Sequence, residues 1–158
     1  MSGDHEESKV LEGEISSGNY SSLRDGKSTP HTVACMLKKV LREMGEPLCT
    51  YKLYIEFRDV NMLEQEMRLQ RVVDIFSKMH RLFRASFFFL LDFLMLVIAY
   101  EKYNKMNEYN LATVFTPNLF RPFEVTQNDL IYSSHLSDTL KMILVNYFTF
   151  KKDVPSSE

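Results

Sequence analysis

The chain has 158 residues, 45% hydrophobic and 25% charged, with twelve phenylalanines, no tryptophan and a formal net charge of −2. That length and composition fit one globular domain with enough bulky apolar area for a core. Without a basic excess, or aromatic residues interleaved with a Lys/Arg stripe, nucleic acid is not an expected partner.

Cys35 and Cys49 lack metal-ligand or redox spacing, so both read as small buried hydrophobes in a reducing compartment. Residues 1–8 are acidic and polar rather than basic and apolar, which does not make a secretory signal, and a cytoplasmic location is expected. Phe87 to Tyr100 is dense in apolar residues but shorter than the ~20 a bilayer crossing needs, and it contains Asp92. It therefore reads as a buried core helix and not as a transmembrane segment.

In chain order, residues 1–29 are rich in Gly, Ser, Asp, Glu and Asn and read as mostly loop, with a short helix over Val10 to Ile15. Thr29-Pro30 is a helix start: a capping hydroxyl, then a proline whose missing N–H costs nothing at the first position. Ala34, Leu37, Leu41 and Met44 give the apolar face of that helix, and Gly45 with Pro47 ends it. Tyr51 to Val60 reads as a helix with Tyr51, Tyr54, Ile55 and Arg58 on one face, broken at Asn61. Leu69, Val72, Val73, Phe76 and Met79 predict an amphipathic helix from Leu63 to Met79, with Arg81 to Ala85 as its connection.

Ser86 then caps the central apolar helix, which is apolar nearly all round and so is expected to be enclosed by others. Asn104 and Asn107 mark a turn. Glu108 to Phe115 reads as a short helix, and Pro117 and Pro122 bracket an extended piece. A last helix carries Leu136, Leu140, Ile143, Leu144 and Tyr147 and closes on Lys151-Lys152, near the negative end of its dipole. No segment alternates with period two, so the fold class is all-α. The domain is expected over 30–152, with a disordered tail over 153–158.

Three tempting signals fall short. Gly26-Lys27-Ser28 resembles the end of a phosphate-binding loop, but Ser21 stands where that loop needs its first glycine. The four histidines make no two-ligand spacing, so no metal or other cofactor is implied. Asp92 has no partner acid or base in view and reads as a hydrogen-bonded buried acid.

Lys38 and Arg42, four residues apart on the polar side of the Pro30 helix, carry the functional reading. Spacing alone is compatible with a solvated basic face neutralised by Glu43 and Glu46. The stretch from His31 to Leu48, with Lys38, Arg42 and Glu46-Pro47, resembles the second conserved block of Rho GTPase-activating (RhoGAP) domains. Asn104-Lys105-Met106 together with Asn110-Leu111-Ala112-Thr113-Val114-Phe115-Thr116-Pro117-Asn118-Leu119 resembles the third. The resemblance runs over roughly residues 8–150.

That resemblance implies an all-α RhoGAP-like domain of about six helices without the family's first helix, and a Rho-family small GTPase (Rho, Rac or Cdc42 type) as partner. It implies that Lys38, Arg42 and Asn118 contact or support contact with the GTPase. It implies no catalytic residue, because the family's arginine finger, carried in a Gly-Phe-Arg-like loop, has no counterpart here. Arg24, the one arginine before the Pro30 helix, lies in Ser-Ser-Leu-Arg-Asp-Gly. A finger contributes ~10³ to 10⁵ in rate, so the expectation is a GTPase-binding domain that activates weakly or not at all. The alternative is a helical scaffold or adaptor without a GTPase-activating role. Gly45 stands where the family has Pro, Thr116 where it has Gly, and Phe83 and Ser86 where it has Pro and Asn. The oligomeric state is left open.

Overall fold

The computed structural model of the chain describes residues 2–153, with side chains described over residues 6–152. Among the described residues are ten α-helices, two 3-10 helices and no strand. Six of the α-helices have twelve residues or more, and short pieces make up the remainder of the ten. The tail expected over 153–158 lies outside the described residues, except for Asp153, where the last helix ends. The chain divides into two compact units, the first ending at Met44 and the second beginning at Gly45.

The first unit contains α1 (Ser2–Ser16), α2 (Ser21–Arg24) and α3 (Pro30–Glu43). Residues 2–29 are thus largely helical where loop was expected, because the stabilising contacts are polar and non-local. Leu11 is buried and Ile15 half-buried one turn on. Around them the α1 carboxylates reach backbone and side-chain donors. Glu7 accepts the Thr29 N–H at 2.6 Å, Glu12 accepts Lys39 Nζ at 2.5 Å, and Glu14 accepts the Ser22 hydroxyl at 2.8 Å. The hydrogen bond from Lys39 to Glu12 holds the ammonium above its ordinary pKa. Gly26, at φ +63°, turns the chain after α2, which is the ordinary turn reading of Gly-Lys-Ser.

α3 begins as Thr29-Pro30 predicts, with the Thr29 hydroxyl accepting the Thr32 N–H at 3.2 Å. It stops at Met44 by a switch to extended backbone, ψ 136°, and not through a left-handed Gly45.

The second unit opens with a 3-10 helix (Tyr51–Leu53), α4 (Tyr54–Asp59) and a second 3-10 helix (Val60–Met62). Its inward residues are Leu53, Tyr54, Phe57 and Val60; Ile55 is exposed, so the face expected for this segment is rotated. α5 (Gln65–Lys78) buries Val72, Ile75 and Phe76, as its period predicts for Val72 and Phe76. Next come α6 (Arg81–Ala99), α7 (Glu101–Asn104), α8 (Glu108–Leu119), α9 (Asp129–Val145) and α10 (Tyr147–Asp153).

α6 starts at Arg81 and not after Ser86, because the His80 ring caps it by accepting the Leu82 N–H at 3.3 Å. It is also not enclosed. Phe87, Leu90, Leu91 and Leu94 are buried, while Phe89 and Leu96 are 79% and 62% exposed. By length and composition α6 could cross a membrane, and here one side of it belongs to the core.

Rings gather in that core. Phe76 lies 6.1 Å from Phe57, 5.6 Å from Phe87, 5.1 Å from Phe88 and 5.7 Å from Phe150, centroid to centroid. These contacts bring α4, α5, α6 and α10 together, and Phe120, 5.2 Å from Phe57, adds the segment after α8. Asp92, at the edge of α6, accepts the Tyr147 hydroxyl and Lys151 Nζ, the latter at 2.6 Å. It is hydrogen-bonded as expected, but it is half-exposed and has a partner base in Lys151, where a buried acid without one was expected. α9 is held at its start by Asp129, which accepts Thr126 N–H at 2.5 Å and the Tyr54 hydroxyl at 2.8 Å. The Thr126 bonds keep that carboxyl below its ordinary pKa, while burial pushes the Tyr54 hydroxyl up.

Candidate functional site

On α3, His31, Cys35, Lys38 and Arg42 follow one another at spacings of four, three and four, which places them on one side of the helix. His31, Cys35 and Arg42 are exposed and Lys38 is half-buried. Thr32, Met36 and Leu41 are the buried residues of this helix. Cys35 Sγ and His31 Nε2 lie 3.7 Å apart across one turn. Cys35 is therefore a surface thiol, against the buried role expected for it, and Cys49 is the buried one. Burial raises the Cys49 thiol well above its ordinary pKa and keeps it neutral.

The three basic residues of the helix thus divide. Lys39 closes the α1 contact through Glu12, and Lys38 and Arg42 share the outward stripe. Two cations one turn apart on a helix surface suit the carboxylates of a partner protein. His31 and Cys35, which lengthen this stripe toward the helix start, were missed from sequence although the four-three-four spacing marks them.

Asn118 belongs to the second unit, on α8. This helix extends to Leu119 and does not end at Phe115, so Pro117 lies inside it and there is no extended piece before Leu119. Proline at 117 removes one backbone donor. The end of the helix is held by other groups: Asn118 Nδ2 donates to Val114 O at 2.7 Å, Phe120 N–H to Thr116 O at 3.0 Å, and Cys49 N–H to Leu119 O at 3.3 Å. Thr116 is a buried helical residue without left-handed backbone, so this position does not require glycine. Asn118 itself is 3% exposed. Its amide is committed to the helix from within, which makes it a positioning group and not an outward contact in this structure.

The loop before α8 follows the same rule. Asn104 Nδ2 donates to Val97 O at 2.8 Å while its Oδ1 accepts Met106 N–H at 2.8 Å. Asn110 Nδ2 donates to Lys105 O, and Asn107 Oδ1 caps α8 by accepting Asn110 N–H, both at 2.9 Å. Lys105 sits between them at φ +60°, a left-handed conformation that a residue with a Cβ adopts at a cost. The asparagines of this block spend their side chains on backbone groups and hold Lys105 outward at the surface. Each of the two units therefore presents cations, Lys38 with Arg42 on one and Lys105 on the other.

The described residues form helices that present charged side chains at the surface. The RhoGAP domain family model matches residues 1–124, and the chain belongs to that family. Rho GTPase-activating protein 44 of Rattus norvegicus is 36% identical over 101 residues, covering 63% of this chain and 12% of that protein. Rho GTPase-activating protein gacN of Dictyostelium discoideum is 28% identical over 149 residues, covering 94% of this chain and 24% of that protein. The crystal structure of the BH domain from Graf, the GTPase regulator associated with focal adhesion kinase, superposes with a TM-score of 0.74 at 24% identity. That match covers 82% of this chain and 70% of that one and shows the shared fold. The chain spans 12% and 24% of the lengths of the two named relatives.

Proposed function

We propose that this chain binds GTP-loaded Rho-family GTPases through the Lys38–Arg42 side of α3, with Asn118 acting from inside α8 to fix the end of that helix. The observation that carries the reading is membership of the RhoGAP family over residues 1–124, a match that includes both conserved blocks. Lys38 and Arg42 are charge-assisted donors on an outward stripe, suited to steering and orienting a partner.

The chain is a weak activator, or none, in this reading. Arg24 is the one arginine ahead of α3, and it ends the four-residue α2 as an exposed side chain in Ser-Ser-Leu-Arg-Asp-Gly, with no resemblance to a finger loop. A transition-state group must be held to within about an ångström to be effective. A second reading, a helical scaffold or adaptor, draws on the exposed apolar side of α6.

Equilibrium binding of the chain to Rho-, Rac- and Cdc42-type GTPases loaded with a non-hydrolysable GTP analogue or with GDP separates the two. Tighter binding of at least one GTP-form partner by ~10-fold, or ~1.4 kcal/mol, is expected. Equal or undetectable binding to both forms of all three favours the scaffold.

A further inference from the structure

Cys35 on α3 is a nucleophile with a base beside it. Its Sγ lies 3.7 Å from His31 Nε2, one turn back on the same side of the helix, and both residues are exposed. Lys38 and Arg42 continue that side, three and seven residues beyond the thiol. We propose that Cys35 is a site of reversible thiol–disulfide exchange with glutathione disulfide, with His31 carrying the proton and Lys38 and Arg42 receiving the carboxylates of the adduct.

An exposed thiol paired with an imidazole and flanked by cations is the setting in which a cysteine reacts as a thiolate. With its own proton on Nδ1, the His31 ring takes the thiol proton at Nε2. Cys35 Sγ then attacks one sulfur of the disulfide, and a new S–S bond forms as the old one breaks. The departing glutathione thiolate takes the proton back from His31. Cys35 is oxidised and one half of the reagent is reduced to a thiol, so no further oxidant enters. Cys49, the other cysteine, is 1% exposed, and its burial keeps that thiol neutral and out of reach.

The surroundings select an anionic disulfide over a neutral one. Each glutathione unit is a carboxylate-bearing tripeptide that spans ~10 Å when extended. At ~1.5 Å per residue, Lys38 lies ~4.5 Å and Arg42 ~10.5 Å along the axis from Cys35. A tethered tripeptide therefore reaches both, and its carboxylates meet charge-assisted donors there. The adduct occupies the stripe assigned above to the GTPase. That consequence rests on the GTPase reading, whereas the exchange itself does not.

Incubation of the full reduced chain with glutathione disulfide, followed by intact mass and peptide mapping, tests this. A single adduct on Cys35 is expected, with Cys49 modified only after unfolding in urea. His31→Gln is expected to slow the exchange by at least ~10-fold with an unchanged helical spectrum. Lys38→Ala/Arg42→Ala is expected to slow it with glutathione disulfide but not with uncharged hydroxyethyl disulfide. Exchange at Cys35 no faster than at a cysteine in an unstructured peptide overturns the proposal. So does an undiminished rate in His31→Gln, and so does modification of Cys49 first in the folded chain. Equal slowing of both disulfides overturns the part given to Lys38 and Arg42. The modified chain is then expected to bind a GTP-form Rho-family GTPase ~10-fold more weakly, with recovery in dithiothreitol. Equal affinity before and after modification overturns the control of docking. Absence of binding by the reduced chain counts against the GTPase reading alone, since the exchange rates decide the site by themselves.

Discussion

Replacing Phe76 with alanine is expected to lower the unfolding free energy by about 3–5 kcal/mol, the cost of emptying a fully buried aromatic site. Phe76 is 0% exposed and touches rings contributed by α4, α6 and α10 as well as its own surroundings on α5. Its truncation removes four ring contacts at once, and because those rings come from separate helices, local collapse cannot refill the space without moving a backbone. A domain of this size has about 5–15 kcal/mol in total, so the variant approaches the edge of folding. Urea denaturation followed by circular dichroism reads the change. Met67→Ala, on the exposed side of the same helix, is the control and should stay within about 0.5 kcal/mol of wild type. A loss below ~1 kcal/mol for Phe76→Ala contradicts the placement of this ring at the centre of the core.

The second large effect is one of catalysis. In single-turnover hydrolysis, saturating chain is expected to accelerate GTP hydrolysis by a Rho-family GTPase by less than ~10-fold. An arginine finger in place supplies ~10³ to 10⁵, about 4–7 kcal/mol of transition-state stabilisation at ~1.36 kcal/mol per decade. Surface contacts made equally in ground and transition states add affinity and no rate, so Lys38 and Arg42 do not replace it. Acceleration of ~10³ or more would contradict the inactive reading. Arg24→Ala then tells whether Arg24 is the group responsible: a full loss of rate identifies it as a finger presented by α2.

Much of this was legible in the sequence where the signal is local. Thr29-Pro30 started α3, the period of Val72, Phe76 and Met79 gave α5, and Asn107 marked the start of α8. What was not legible is set by contacts between segments far apart in the chain. α1 is polar along most of its length and is held by Glu7, Glu12 and Glu14 reaching residues 8 to 27 positions away. Composition cannot show that. Pro117 gave a stop signal that the helix overrode, because Asn118 and Cys49 satisfy its final turn.

α6 misled in the other direction. Apolar residues all round implied an enclosed helix, whereas burial covers only the side of Phe87, Leu91 and Leu94. A period cannot distinguish an apolar face that is buried from one that is exposed. Of the candidate site residues, Arg42 is exposed and Lys38 half-buried on the polar side of α3. Asn118 was read as a contact residue because asparagine can donate and accept, and the fold uses that capacity on Val114.

The most direct measurement is equilibrium titration of a GTP-analogue-loaded Rho-family GTPase with the wild-type chain and with the Lys38→Ala/Arg42→Ala variant. An unchanged helical circular-dichroism spectrum is the control for the fold of the variant. Binding is expected for the wild-type chain and at least ~10-fold weaker for the variant, a loss of ~1.4 kcal/mol or more. Equal affinity of the two for the GTPase, or no binding by either, would contradict a GTPase-docking role for this side of α3.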